Sequence, residues 1–252
     1  MNYLKRIIKE KEGPVCSLFF TAGFPELNDT KKHILELQEA GVDFIEVGMP
    51  YSDPMADGPT IQDSSDIALA NGMNLDVLFD QLEECKDQVR TPLVLMGYFN
   101  QLLKYGEDRF LQRAEQAGIK TVILPDLPMI EYENVYKDKF AKYGISNVFL
   151  VTPQTAEERI LKIDQMTESF IYVVASASIT GTKGTIGDEQ IDYFKRIKAM
   201  KLKNPQIVGF GISDRHTLLK ANEYLDGAII GSAYIRALKK GQGEAFVKSL
   251  LN

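Results

Sequence analysis

The chain has 252 residues, of which 44% are hydrophobic and 25% are charged, and this composition is that of an ordinary globular protein. It excludes a disordered chain, and the length is enough for one domain with a large core. The net charge of −6 argues against a surface for nucleic acid or an anionic membrane, although backbone N–H groups can still hold a small anion locally.

Cysteine usage and the first residues of the chain bear on its compartment. Cys16 and Cys85 are too few for a disulfide framework or a zinc knuckle, and two buried or partly buried thiols in a reducing environment are expected. Residues 1–11 are charged and lack the apolar core of a signal peptide, and the apolar runs further along are too short to span a bilayer. We therefore expect a cytoplasmic chain.

Short apolar runs alternate with helical patterns along the whole chain. The runs are residues 15–20, 44–47, 93–96, 121–124, 147–151, 170–174, 207–210 and 228–230. They are apolar on both faces, which is typical of parallel strands covered by helices, and amphipathic segments such as 27–40 lie between them. Eight alternations at this length favour a parallel barrel over a doubly wound sheet. The prediction is an α/β fold in which residues 1–252 form a single (β/α)₈ TIM barrel.

Two long non-periodic stretches, 48–59 and 176–188, directly follow predicted strands. In a barrel this places both at the C-terminal face, where barrel enzymes keep their active sites. The second stretch carries Gly181, Gly184 and Gly187. Glycine-rich loops at a barrel mouth commonly close over substrate, so we expect this one to act as a lid.

Glu46 lies inside the apolar run 44–47. A carboxylate in an apolar strand is costly unless it is paired or used, and burial would raise its pKa toward the range of a general acid/base. The alternative is an outward residue bonded to a neighbouring helix. Its position near the end of the strand favours the catalytic interpretation, because barrel strands deliver catalytic groups from that end.

Asp57 lies in the stretch that follows the Glu46 strand. Asp-Gly pairs are common in turns, so Asp57 alone would predict only a turn. Next to Glu46 it predicts more, because two carboxylates at one barrel mouth can divide the work between proton transfer and stabilisation of positive charge.

Glycines mark three predicted strand ends: Thr180-Gly181, the segment 209–213 with Gly211, and Gly231-Ser232. Barrels often bind phosphate with the loops after strands seven and eight, where glycine lets the backbone approach and helix N–H groups face the anion. The alternative is three ordinary tight turns. Two such ends in succession favour a phosphate site.

The residues available for chemistry narrow the reaction further. His33 and His216 fall in predicted helices away from the strand ends, so the clustered ligands of a metal-dependent aldolase are not predicted. Lys120 precedes its strand and Lys183 lies in a loop, so neither is placed to form a Schiff base. Carbon–carbon chemistry here would run on carboxylates alone, with an electron sink supplied by the substrate.

The segment 44–62, Phe-Ile-Glu-Val-Gly-Met-Pro-Tyr-Ser-Asp-Pro-Met-Ala-Asp-Gly-Pro-Thr-Ile-Gln, closely resembles the signature of tryptophan synthase α subunits. Other pieces support the resemblance in family order: Thr-Ala-Gly at 21–23 with Pro25, Pro-Asp-Leu-Pro at 125–128, Ile-Thr-Gly at 179–181, Gly-Phe-Gly-Ile-Ser at 209–213 and Gly-Ala-Ile-Ile-Gly-Ser at 227–232. Together they cover nearly the whole chain, and the long first motif is the specific one.

The resemblance implies a lyase of L-tryptophan biosynthesis that cleaves indole-3-glycerol phosphate by a retro-aldol reaction to indole and glyceraldehyde 3-phosphate. Glu46 matches the general acid/base that protonates indole C3, and Asp57 matches the carboxylate that faces the indole nitrogen. The protonated ring is then the electron sink, and this chain needs no metal, Schiff base or cofactor.

The resemblance also implies the rest of the binding site. It matches Gly181, Gly211, Gly231 and Ser232 to the phosphate. It matches the following residues to the substrate pocket: Phe19, Ile61, Met96, Ile123, Tyr172, Thr180 and Phe210. For the pocket residues, and above all for Ile61 and Ile123, the alternative is generic barrel core.

A partner is implied as well: a β subunit that holds pyridoxal phosphate, in an αββα complex that passes indole on without release. The positions matched to the face toward that subunit are Pro50, Asp53, Pro54, Asn100 and Pro128. Two other functions remain open on the residues alone, a sugar-phosphate isomerase and a non-catalytic barrel that only activates a partner. Neither calls for both Glu46 and Asp57.

Overall fold

The parallel strands of the computed structural model form one nine-stranded sheet that curves into a nearly closed barrel, and the model describes residues 2–175 and 186–252. The strands are β1 Val15–Thr21, β2 Phe44–Gly48, β3 Leu93–Met96, β4 Thr121–Ile123, β5 Ser146–Val148, β6 Leu150–Val151, β7 Ile171–Val174, β8 Gln206–Gly209 and β9 Gly227–Ile230. Their spatial order is β5-β4-β3-β2-β1-β9-β8-β7-β6. The predicted parallel barrel is confirmed.

The fifth predicted strand, 147–151, is divided in two. β5 pairs with β4, β6 pairs with β7, and Phe149 lies between them. The carbonyl of Phe149 still accepts from the backbone N–H of Tyr172 at 3.0 Å. The expected count of eight strands therefore becomes nine because one strand is interrupted at a single residue.

Helices surround the sheet and connect successive strands. They are α1 Tyr3–Glu10, α2 Asp29–Ala40, α3 Pro59–Ala70, α4 Leu75–Cys85, α5 Phe99–Tyr105, α6 Glu107–Gln116, α7 Met129–Glu131, α8 Lys137–Lys142, α9 Glu157–Met166, α10 Asp188–Ala199, α11 Arg215–Asn222, α12 Ser232–Lys239 and α13 Gly243–Leu251. A π-helical turn, Tyr132–Tyr136, lies between α7 and α8.

The core lies on both faces of the sheet. Every residue of β1 and of β2 is buried, as expected for strands packed against the barrel interior on one side and helices on the other. Cys16 and Cys85 are buried free thiols within this core. Because both faces of β2 are covered, its one charged residue, Glu46, lies in the protein interior rather than in solvent.

The N-terminal end of the barrel is tied to helix α1. Asn2 caps α1 by accepting from the backbone N–H of Leu4 at 2.9 Å, and its amide donates to the Ser146 hydroxyl at the start of β5 at 3.1 Å. Lys5 reaches Asn204, just before β8, at 2.5 Å. Leu4 and Ile8 of α1 are buried. The opposite, C-terminal end is therefore where the strand loops can form a site.

Within residues 2–175 and 186–252, no helix is both long and apolar enough to cross a membrane.

Candidate active site

Glu46 lies in the middle of β2, in register with Phe19 of β1 and Val94 of β3. Its side chain is 2% exposed, and Oε2 has no hydrogen-bond partner among the described residues. Burial, followed by the negative charge of Asp57, raises the pKa of Glu46 to about 8. The carboxyl is thus protonated at neutral pH and close enough to Asp57 to feel its charge.

Asp57 lies in the loop between β2 and α3, and its side chain is half-buried. The Tyr98 hydroxyl donates a hydrogen bond of 3.0 Å to Oδ2 of Asp57. Burial raises the pKa of Asp57, and the hydrogen bond from Tyr98 opposes that rise by stabilising the carboxylate. The loop therefore holds a carboxylate that is stabilised by a hydrogen bond from a specific side chain. An aspartate that only forms a turn would not need this donor.

Tyr98 was not predicted from the sequence, yet it organises the Asp57 loop. Its hydroxyl also accepts from the backbone N–H of Ala56 at 3.1 Å, and its ring stacks on Tyr51 at 5.2 Å between centroids. Burial raises its pKa, so the phenol stays protonated and acts as a donor to Asp57. The signal that could have found it is a hydroxyl-bearing aromatic two residues beyond β3, the strand next to the one that carries Glu46.

A cavity of about 10 Å³, roughly the volume that one water molecule needs, lies beside these groups at the C-terminal end of the barrel. Its lining combines two strand ends, the Asp57 loop and the start of α3: Phe19, Thr21, Gly48, Met49, Asp57, Ile61, Ser65, Met96, Gly97 and Tyr98. The structure thus brings Asp57 together with three of the predicted pocket residues, Phe19, Ile61 and Met96. A Cβ on Gly48 would lie 2.4 Å from the Phe19 ring, so only glycine leaves room for that ring over β2.

The other predicted pocket residues lie around the same barrel interior. Ile123 is fully buried and in register with Met96. The Tyr172 phenol occupies the space where Gly209 lacks a side chain, because a Cβ there would lie 1.8 Å from its oxygen. Burial, and then the charges of Glu46 and Asp57, raise the pKa of Tyr172 well above its usual value. Tyr172 is therefore a neutral phenol that lies near both carboxylates.

Phe210 differs from a core residue. Its side chain is 37% exposed, its ring lies edge-on to Tyr172 at 6.1 Å between centroids, and its φ of 66° is in the left-handed region. A bulky residue rarely adopts this conformation. The turn after β8 therefore holds the Phe210 ring at the edge of the site at some conformational cost.

The predicted phosphate positions in the described residues are Gly211, Gly231 and Ser232. Gly211 has a φ of 80° and follows β8, whereas Gly231 is the N-cap of α12 and follows β9. β8 and β9 are paired neighbours, so the two loops lie side by side at one edge of the mouth. The amide nitrogen of Gln190 in α10 lies 3.7 Å from where a Gly211 Cβ would be. Thr180 and Gly181 lie outside the described residues, as does most of the stretch 176–188 predicted to form a lid.

The five positions matched to a partner surface differ in exposure. Asp53, Asn100 and Pro128 are exposed, Pro54 is half-buried, and Pro50 is buried, with its carbonyl accepting from the Gln101 amide at 3.0 Å. Because Pro50 is buried in this conformation, it can position the residues of a partner surface but cannot contact the partner itself.

Asn100 connects this exposed set to the site. Its side chain donates to the Tyr51 hydroxyl at 2.8 Å, and Tyr51 stacks on Tyr98. An exposed side chain is thus two contacts away from the phenol that holds Asp57.

No group of three or more His, Cys, Asp or Glu side chains within residues 2–175 and 186–252 is arranged to hold a metal ion. Among the described residues, Glu46, Asp57, Tyr98 and Tyr172 are ionisable groups that lie near one another at the mouth. The fold and the site together define a TIM barrel with a pair of carboxylates at its C-terminal mouth.

The family model described as tryptophan synthase alpha chain matches residues 5–250. A tryptophan synthase alpha chain from Flavobacterium johnsoniae is 50% identical over 245 residues, which are 97% of this chain and 96% of that one. One from Christiangramia forsetii is 49% identical over 240 residues, which are 95% and 93% of the two chains. The chain belongs to the tryptophan synthase α-chain family, and so to a family of enzyme subunits of tryptophan biosynthesis.

Solved structures agree with this assignment. A mutant tryptophan synthase α subunit from Pyrococcus furiosus superposes with a TM-score of 0.84 at 35% identity, covering 94% of this chain and 97% of that one. A structure of Mycobacterium tuberculosis tryptophan synthase superposes with a TM-score of 0.88 at 28% identity, covering 98% and 96%. The barrel fold is therefore that of the family.

Proposed function

We propose that this chain cleaves indole-3-glycerol phosphate to indole and glyceraldehyde 3-phosphate. The observation that carries the proposal is the pairing of Glu46 and Asp57 at one barrel mouth. Glu46 is buried and has a raised pKa, whereas Asp57 is half-buried and supported by the Tyr98 phenol. Two carboxylates in such different surroundings suit two different tasks, as acid/base and as stabiliser of positive charge.

Glu46 performs both proton transfers in this mechanism. Its protonated carboxyl delivers a proton to indole C3, which makes the ring an indolenine cation. The carboxylate so formed takes the proton of the glycerol hydroxyl next to the ring as the carbon–carbon bond breaks. The hydroxyl carbon becomes the aldehyde, and the bonding electron pair returns to the ring to restore indole. Glu46 ends the cycle protonated, as it began.

Asp57 stabilises the cation between these two steps. The positive charge of the indolenine is centred on the ring nitrogen, and a carboxylate facing it lowers the energy of the intermediate. The Tyr98 hydrogen bond stabilises the carboxylate form of Asp57 and opposes the rise in its pKa that burial causes. The apolar side chains of Phe19, Ile61 and Met96 line the same cavity of about 10 Å³, and they have to move apart to admit the flat indole ring between them.

The phosphate end of the substrate is assigned to the loops after β8 and β9. Gly211 and Gly231 let the backbone approach, and the N-terminus of α12 at Ser232 presents the N–H groups of a first helical turn. The segments 209–213 and 227–232 contain no lysine or arginine, so backbone donors carry the binding. From the family resemblance we assign Gly181 to the same end and Thr180 to the substrate pocket.

The chain is further proposed to work with a β subunit that carries pyridoxal phosphate, in an αββα complex. The exposed residues Asp53, Asn100 and Pro128 lie in or next to the loops that build the site. A partner pressing on these loops would fix Asp57 opposite Glu46 before catalysis, which lowers the ordering cost of the active arrangement. We therefore expect low activity from the isolated chain and a clear gain when the β subunit is added.

The test is release of indole from indole-3-glycerol phosphate by the purified chain, with and without a tryptophan synthase β subunit. Indole formation that the β subunit accelerates supports both parts of the proposal. A chain that binds and activates the β subunit but forms no indole would be a non-catalytic partner, and turnover of a sugar phosphate alone would identify an isomerase. An isolated chain already as fast as the complex would overturn only the activation.

A further inference from the structure

A pair of buried hydroxyls lies beside the cavity, outside the mechanism given above. Thr21 ends strand β1 and lines the cavity together with Asp57. Its Oγ1 lies 2.6 Å from the Oγ of Ser64 in α3. Thr21 is 1% exposed and Ser64 is fully buried, so both hydroxyls must satisfy their hydrogen bonds within the protein or with a ligand.

The direction of this hydrogen bond follows from the next contact. Ser64 Oγ lies 2.8 Å from the backbone carbonyl oxygen of Ile61, which can only accept. A serine hydroxyl has one proton, and Ser64 uses it there. The 2.6 Å contact must then take its proton from Thr21. Thr21 Oγ1 is left with lone pairs and no proton to offer the cavity.

We propose that Thr21 is a positioning and specificity residue, whose Oγ1 accepts a hydrogen bond from a ring N–H at the end of the cavity that holds Asp57. The inference rests on the proposed function, which supplies an indole ring with one N–H. Asp57 alone would attract any positive or donor group, whereas an added neutral acceptor fixes the ring plane. The pair of acceptors thereby selects an N–H heterocycle over a ring of the same shape that lacks the donor.

Equilibrium binding of indole and benzofuran to the purified chain tests this, because benzofuran replaces the ring N–H by an oxygen and keeps the shape. The wild type should prefer indole. Thr21→Val removes the hydroxyl at nearly constant volume and should reduce the preference by roughly three- to tenfold, the range for one neutral hydrogen bond. Thr21→Ser keeps the hydroxyl and should retain the preference.

Ser64→Ala tests the direction of the hydrogen bond. It leaves Thr21 in place but frees its proton, which can then face the cavity, so the preference for indole should fall here too. Thr30→Val is the matched control, because Thr30 is a fully buried threonine whose hydroxyl accepts from the Gly23 backbone at 3.1 Å and does not line the cavity. Its indole-to-benzofuran ratio should equal that of the wild type.

The outcomes separate this inference from the reaction it rests on. Equal ratios in wild type and Thr21→Val, or no preference in the wild type, overturn the acceptor role. A wild-type ratio in Ser64→Ala overturns the hydrogen-bond direction, and this arm remains informative if Thr21→Val fails to fold. One further outcome is a chain that releases no indole from indole-3-glycerol phosphate and yet prefers indole in a way that depends on Thr21. That result would overturn the proposed reaction but would support Thr21 as a hydrogen-bond acceptor.

Discussion

Tyr98 donates a hydrogen bond of 3.0 Å to Oδ2 of Asp57, and the two residues come from the loops that follow neighbouring strands β3 and β2. The same hydroxyl accepts from the Ala56 backbone, so one phenol fixes both the carboxylate of Asp57 and the chain just before it. The position of Asp57 near Glu46 therefore depends on an adjacent loop as well as on its own.

Tyr98→Phe should lower kcat/KM for indole release by on the order of tenfold, the effect of losing one hydrogen bond to a charged group. It should also raise the pKa of Asp57, because the bond that stabilises the carboxylate is gone. Tyr105→Phe is the matched control, since Tyr105 donates to Asp76 at 2.5 Å on the surface. Equal losses in both variants would assign the effect to folding rather than to Asp57.

Glu46→Gln should reduce kcat by about 10²- to 10⁴-fold, because the amide keeps the shape of the side chain but cannot exchange a proton. Substrate binding, measured directly with the inactive variant, should change little. Glu115→Gln, in an exposed position of α6, should behave as the wild type. A Glu46→Gln variant with wild-type kcat would remove Glu46 from the acid/base role.

The raised pKa of Glu46 also predicts how stability depends on pH. Between its ordinary value of 4.5 and about 8, the folded chain keeps a proton that the unfolded chain has released. The contribution of the Glu46 carboxyl to the free energy of unfolding therefore falls as pH rises through that interval, by up to about 1.4 kcal/mol per pH unit. Denaturant unfolding of Glu46→Gln should show this slope removed, so that the variant gains stability relative to the wild type from pH 5 to pH 8. Parallel curves for the two proteins would mean that Glu46 is ionised in the folded state.

Gly211→Ala should raise KM roughly tenfold with a smaller change in kcat, because the added methyl strains a φ of 80° and displaces a backbone donor from the phosphate. Gly241→Ala carries the same type of strain, at a φ of 67°, in a turn before α13. It should cost stability without changing KM. A complex with substrate in which arginine or lysine side chains hold the phosphate elsewhere would contradict this assignment.

Asp53→Ala should weaken the activation by the β subunit while leaving the slow rate of the isolated chain nearly unchanged. Asp53 is exposed in the Asp57 loop, and its Oδ2 is bonded to the adjacent Ser52 hydroxyl at 2.5 Å. The control is Asp87→Ala, an exposed aspartate in the segment between α4 and β3 and so at the opposite end of the barrel. Titration of both variants with the β subunit, read as indole release, distinguishes them.

The strands could be predicted because each is a short run that is apolar on both faces, and Glu46 was conspicuous because it interrupts such a run. Tyr98 and the Thr21–Ser64 pair could not be predicted in the same way. Their contacts join residues far apart in the sequence, and they exist only once the barrel register has brought the ends of β1, β2 and β3 together. A periodic pattern describes one strand or helix, and it does not encode a contact between residues of different elements.

The division of the fifth strand was missed for a different reason. The predicted strand 147–151 is one continuous run in the sequence, and nothing in its residues marks Phe149 as the place where the ladder changes partner. The break reflects the geometry of barrel closure: β5 pairs only with β4, and β6 pairs only with β7. Closure is a property of the whole sheet, so a local sequence pattern does not reveal it.

The interruption of the fifth strand at Phe149 also determines how the barrel closes. The two edges of the sheet meet at β5 and β6, which are joined through Phe149 by the covalent chain, whereas every other pair of neighbouring strands is joined by its own ladder. The cylinder therefore has a seam, and in hydrogen exchange the amides beside it should open at lower free energy than those of the central strands β1 and β2. Local opening at β5 and β6 would then leave the β2 and β3 loops, which hold Asp57, in place.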